Sequence, residues 1–196
     1  MKEIFLFELK YRLRRPVTYI YIFIMFLIPL LLGVFSESAT AEFTNSPSAI
    51  VGVLGGLSTI ALFFYAAIMG VPVYRDEEHK TAQTYFTFPV SEKNYIMGRF
   101  WGSFTIVTIM NIAAMFGAMF GFVLGALLDR PDYGTYTDFN FWSYFFPFLY
   151  LLVFNSFFIG SLFFCLMTFF KRMPILYLGG IVILIASILS GQLLSN

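Results

Sequence analysis

Along this chain, long apolar runs alternate with short charged ones. Five apolar runs reach the roughly 20 residues that a helix needs to cross about 30 Å of hydrocarbon. They extend from about Val17 to Phe35, Ile50 to Tyr74 and Phe100 to Leu128, then within Phe139 to Phe170 (entering near Phe145), and from about Pro174 to Leu194. None contains Asp, Glu, Lys, Arg or His. The runs are continuous rather than alternating, which predicts helices and not the strands of a barrel.

Composition supports the same picture. Of 196 residues, 59% are hydrophobic and only 12% charged, whereas soluble domains carry about 25% charged residues. The 27 Phe add apolar surface that a single globular core could not hide. The expected fold is an all-α membrane protein: an interfacial N-terminal helix over 1–16, then five transmembrane helices, in a single domain spanning 1–196. Ala39-Thr40-Ala41 resembles a signal-peptidase site. The preceding apolar run, however, exceeds the roughly 7–15 residues of a signal sequence.

The net charge of +1 says nothing about partners, but the placement of charge does. Lys2, Lys10, Arg12, Arg14 and Arg15 precede the first run. Arg75, Lys80, Lys93 and Arg99 follow the second, and Lys171 and Arg172 precede the fifth. Only Arg130 lies on the alternate side, so the twelve basic residues divide eleven to one. The positive-inside rule places the N-terminus in the cytoplasm. Tyr133, Tyr136, Trp142 and Tyr144 are then expected to form an aromatic belt at the outer interface.

Two segments outside the spans stand out. In residues 1–15, Phe5, Leu6, Leu9 and Leu13 share an arc at helical spacing, as in an interfacial helix, and Pro16 interrupts that helix. The segment 75–99 forms a long cytoplasmic loop. Within it Ala82, Tyr85 and Phe86 have the spacing of a short helix, which Pro89 ends. Ser91 can cap a new helix, with Glu92 at its positive end, and Arg99 marks its entry into lipid. Tyr85 and Phe86 suit either a docking knob for a partner or a turn lying in the headgroups.

Within the spans, Ala113, Gly117, Gly121 and Gly125 repeat at every fourth position, a ridge along which helix backbones can approach; Gly52 and Gly56 begin a weaker version. Asn111 and Asn155 are the most polar positions of the third and fourth spans, candidates for a transport pathway or for interhelical hydrogen bonds. His79 has no partners for metal or base chemistry, and Cys165 is the only cysteine. The pattern predicts no catalytic residues, no metal site and no nucleic-acid partner, and the chain has no P-loop motif of its own.

The residues Arg75, Glu77, Thr81, Pro89, Val90, Ser91, Tyr95, Gly98 and Arg99 follow a pattern that resembles the first cytoplasmic loop of ABC transporter permeases of the ABC-2-type family. The resemblance implies a coupling helix at about Lys80 to Phe88, docking on an ATP-binding subunit through Lys80, Ala82, Tyr85, Phe86, Phe88 and Pro89. It also implies a connecting helix before the first span, a second permease half, an exporter in the cell (inner) membrane, and ATP and Mg bound only by the partner. Lys80 stands where the family commonly has Gly. The family has six spans per unit, so this chain is expected to be the N-terminal part of a longer permease. The alternatives are an assembly or anchoring subunit, or an ion-coupled carrier, which would ordinarily place ionisable residues within its spans.

The charge asymmetry makes a direct prediction. In a variant lacking Cys165, a cysteine at Tyr133 should react with an impermeant thiol reagent on intact cells, and one at Lys93 should not; the reverse pattern would invert the topology.

Overall fold

The computed structural model describes residues 1–35, 44–78, 91–128, 135–136 and 138–194, without the side chains of 76–78, 188 and 190–194. Lys80, Thr81, Ala82, Tyr85, Phe86, Phe88, Pro89 and Val90 lie outside the described residues, as do His79, Arg130 and Tyr133. Helix α1 covers Lys2–Leu13, α2 Pro16–Val34, α3 Pro47–Glu78 and α4 Glu92–Leu127. A fourth apolar rod combines α5 (Phe141–Pro147), a π-helical segment (Phe148–Phe154) and α6 (Asn155–Phe170). Helix α7 covers Met173–Leu194. Apart from an isolated bridge at Thr135, the regular structure among the described residues is helical.

Four of these rods have the length and hydropathy to cross a membrane, and α7 contributes a shorter apolar stretch over Met173–Ser187. The protein is an all-α, multi-pass membrane protein. At about 1.5 Å per residue, α4 with its 36 residues is roughly 54 Å long, well beyond the hydrocarbon thickness.

Local chemistry sets the helix boundaries. Pro16 opens α2, where its missing N–H has no ladder partner to lose. Ser91 caps α4: its Oγ accepts from the Asn94 N–H at 3.4 Å. The Asn140 side chain caps α5 by accepting from the Trp142 N–H at 3.0 Å. At the end of α6, Lys171 has φ 52°, the left-handed conformation that commonly closes a helix and usually falls to Gly.

The chain divides into two compact units that do not follow sequence order. The first comprises Met1–Arg15, Ala61–Val107 and Ser156–Asn196. Its core includes Tyr65, Met69, Phe163, Met167 and Leu176. Small residues permit this packing: a Cβ at Gly160 would meet the Met69 side chain at 3.3 Å.

The second unit comprises Pro16–Ile60 and Thr108–Asn155, with Met25, Leu54, Met110, Phe122 and Leu152 buried. Here the glycine ridge of α4 meets α2. A Cβ at Gly121 would lie 2.9 Å from the Leu30 Cα, and one at Gly33 would lie 2.9 Å from the Gly121 backbone carbon. Gly117 faces the Phe26 backbone in the same way. The ridge is thus an intramolecular packing face, with Gly117, Gly121 and Gly125 buried and Ala113 half-buried.

Two expectations need correction. Gly52 and Gly56 are exposed, and a Cβ at either would meet nothing within 4 Å, so they do not extend a packing ridge; a Cβ at the neighbouring Gly55 would instead reach Leu151 at 4.0 Å. Tyr144 is not part of an interfacial belt, because its ring is buried against Phe122 at a centroid distance of 6.3 Å. Trp142, two residues earlier, is exposed as expected.

Gly121→Leu should lower stability in detergent by at least about 1–3 kcal/mol, since the added side chain meets backbone that cannot rotate away. Val123→Leu, at a half-buried position off the ridge, should change it little. Equal melting temperatures for the two variants would remove the ridge as a packing face.

Candidate functional site

The first unit holds a buried ionic cluster built from α1, α3 and α4. Glu8 of α1 has no solvent exposure, and Arg12 and Arg99 retain 7% and 2%. One carboxylate oxygen of Glu8 accepts from Arg12 Nε at 2.8 Å. The other accepts from Arg99 Nη1 at 2.6 Å and from Arg75 Nη2 at 3.0 Å. A single carboxylate thus joins the N-terminal helix to the residues on either side of segment 76–91.

The surrounding sequence makes this site possible. Pro72 lies inside α3 and has no N–H for the carbonyl four residues earlier, that of Ile68. Arg12 Nη2 donates to that Ile68 oxygen at 2.6 Å, so the guanidinium replaces the bond the proline removes. Arg12 also reaches Ser103 Oγ at 3.2 Å, and Ser103 in turn donates to the Arg99 carbonyl at 2.9 Å. Close approach is provided by Gly98 and Gly102, one helical turn apart on α4. A Cβ at Gly98 would lie 2.9 Å from the Ile4 Cβ, and one at Gly102 would lie 2.8 Å from the Glu8 Cβ.

Electrostatics keep Glu8 ionised. Burial alone pushes its carboxyl up, but Arg12, Arg99 and Arg75 more than reverse this and hold it below its ordinary value of 4.5. Burial lowers Arg12 in turn, and the neighbouring Glu8 carboxylate opposes that shift. Among the described residues, three guanidiniums converge on this one carboxylate. Tyr11 lines the cluster's outer side, with the Arg75 guanidinium 4.0 Å from its ring centroid. Tyr95, one turn before Arg99 on α4, accepts from Arg99 Nη2 at 3.3 Å.

Some of the residues expected to matter come together here. Arg75, Gly98 and Arg99 meet α1 along its length, with Tyr95 hydrogen-bonded to Arg99, while Ser91 is the exposed cap of α4. Glu77 belongs to the last turn of α3, but its side chain lies outside the described ones. On α1, Glu8 and Arg12 are the buried positions, while Phe5, Leu9 and Leu13 are half-buried and Leu6 exposed, so the helix packs on the protein through polar groups and leaves its apolar arc partly uncovered. Three ion pairs and the Ile68 carbonyl hold that polar face. Glu8, Arg12, Gly102 and Ser103 escape the sequence reading. Their signal is the i, i+4 pair of Glu8 and Arg12 in a mainly basic segment.

In the second unit, Asn111 is fully buried and its Nδ2 donates to the Leu152 carbonyl at 3.2 Å. That carbonyl belongs to the π-helical segment, where an i→i+5 ladder alters the usual backbone pairing. Asn111 is therefore an interhelical tie. Asn155, half-buried, follows that segment directly.

No family model, curated protein or solved structure matches this chain. Among the described residues no cluster of His, Cys, Asp and Glu could hold a metal.

Glu8→Gln should destabilise the fold by about 3–5 kcal/mol, because it removes the buried carboxylate that three guanidiniums share. The pH dependence follows from the lowered carboxyl. Its stabilisation is complete above the ordinary value of 4.5 and is lost as pH falls through the lower folded value. Thermal unfolding of the native protein should therefore show a stability loss below about pH 4.5 that Glu8→Gln lacks. Parallel profiles for the two proteins would exclude the ion pairs as its source.

Proposed function

We propose that this chain is the membrane-spanning permease subunit, or part of one, of an ATP-driven exporter of the ABC type in the cell membrane. The observation that carries this reading is the junction at Glu8. It ties the N-terminal helix to Arg75 and Arg99, which flank the segment that resembles a permease coupling loop. A partner acting on that segment would act on α1, α3 and α4 together.

In this reading the protein performs no chemistry on its cargo. A separate ATP-binding subunit docks on Lys80 to Phe88, supplies the ATP and Mg site, and changes the orientation of the docked segment. Such a partner shifts the permease only if it binds its conformations differently. The buried ion pairs would transmit that difference, because they fix α1 against two long helices. A second permease half completes the pathway across the bilayer, with the N-terminus in the cytoplasm.

Copurification tests the reading. The native chain should bring down an ATP-binding subunit, and Phe86→Glu should lower that recovery at least about tenfold through the cost of burying an unpaired carboxylate, with membrane insertion unchanged. Unaltered recovery and transport in Phe86→Glu would overturn the docking assignment.

A further inference from the structure

We propose that the outer flank of α1, formed by Lys10, Arg14 and Arg15 with Phe7 and Tyr11, binds the phosphate-bearing headgroup of an anionic phospholipid. The inference is independent of the transport reading. An open groove of about 510 Å³ runs along these five side chains. It lies on a flank of α1 beside the edge that carries Ile4 and Glu8: Lys10 stands about half a turn from that edge, while Tyr11 stands close to it, next to Arg75.

The groove has the chemistry such a headgroup requires. Lys10, Arg14 and Arg15 are exposed, and among the described residues no carboxylate pairs with any of them or lines the groove. The nearby Glu8 is already committed to three guanidiniums. Guanidinium groups match the geometry of phosphate oxygens, and Lys10 and Arg14 lie one turn apart on the same flank. Arg15 rests on Tyr11: its guanidinium lies 4.4 Å from the ring centroid and donates to the hydroxyl. Phe7 stacks beside that ring at 6.2 Å, giving the groove an aromatic wall for the glycerol part of a lipid.

Position favours a lipid over a free anion. Arg15 immediately precedes Pro16, where the first apolar helix begins, so the groove lies within one turn of the membrane boundary. Basic clusters at this location attract anionic leaflets, and the exposed Leu6 and Phe7 can enter the interface beside them.

The test uses the full chain purified in neutral detergent and three probes: a short-chain phosphatidylglycerol, the matching phosphatidylcholine, and inorganic phosphate. Binding is read by native mass spectrometry and by the shift in melting temperature. Phosphatidylglycerol should bind at least about tenfold more tightly than phosphatidylcholine, and phosphate at equal concentration should have no effect. Combined Lys10→Gln, Arg14→Gln and Arg15→Gln should remove at least about tenfold of that affinity. The charge-matched set Lys2→Gln, Lys93→Gln and Arg172→Gln, also at exposed positions, should leave it unchanged. Equal binding of both lipids, or no difference between the two variant sets, would overturn the proposal. Phosphate matching phosphatidylglycerol would assign the groove to free anions instead. Loss of a copurifying protein with lipid binding intact would assign it to a protein partner.

Discussion

The first unit depends on how a buried carboxylate is matched by its neighbours. An ionised Glu in a fully enclosed position would ordinarily be strongly destabilising. Glu8 is tolerated because three guanidiniums converge on its two oxygens, and they are tolerated in turn because Glu8 is there. Removing the carboxylate would leave like charges facing one another at short range. The arrangement is therefore all or nothing, and every element that positions one member constrains the others. Pro72 exposes the carbonyl that orients Arg12, and Gly98 and Gly102 let α1 sink far enough for the pairs to form.

The second unit solves a different problem with different means. Lipid supplies no hydrophobic incentive for apolar helices to leave it, so association relies on close packing and a few interhelical hydrogen bonds. The facing Gly33 and Gly121 bring α2 and α4 to backbone contact. Asn111 adds a polar tie to the π-helical segment of the fourth rod. Neither feature involves charge. Stability in this unit should respond to side-chain volume, whereas stability in the first should respond to charge and pH.

What the sequence discloses follows the same division. Periodic and compositional signals act over many residues, so the apolar rods, the cap at Ser91, the break at Pro16 and the ridge at Gly117 and Gly121 are legible. The site is legible only in pieces. Arg75, Tyr95, Gly98 and Arg99 stand out as parts of a loop pattern, but nothing in a linear pattern shows that they converge on Glu8, 67 residues from Arg75. The local hydrophobic arc gives no sign of the face of α1 that packs on the protein, because a helix can dock through polar groups when its partner supplies matched charges. Tyr144 misleads for the converse reason: an aromatic near a predicted interface has the same composition whether it faces headgroups or packs on Phe122.

The two kinds of constraint also bear on how the protein could respond to a partner. A continuous helix resists bending unless proline, glycine or a π-turn intervenes. Pro72 would be such a point in α3, yet the carbonyl it frees is held by Arg12. The natural weak point of the helix is here braced by the same side chain that anchors α1. Arg75 and Arg99, which lie on either side of segment 76–91, are held by one carboxylate. In the proposed reading, that shared anchor is what would let a partner's displacement reach α1, α3 and α4 together, since coupling travels through packed and ion-paired contacts.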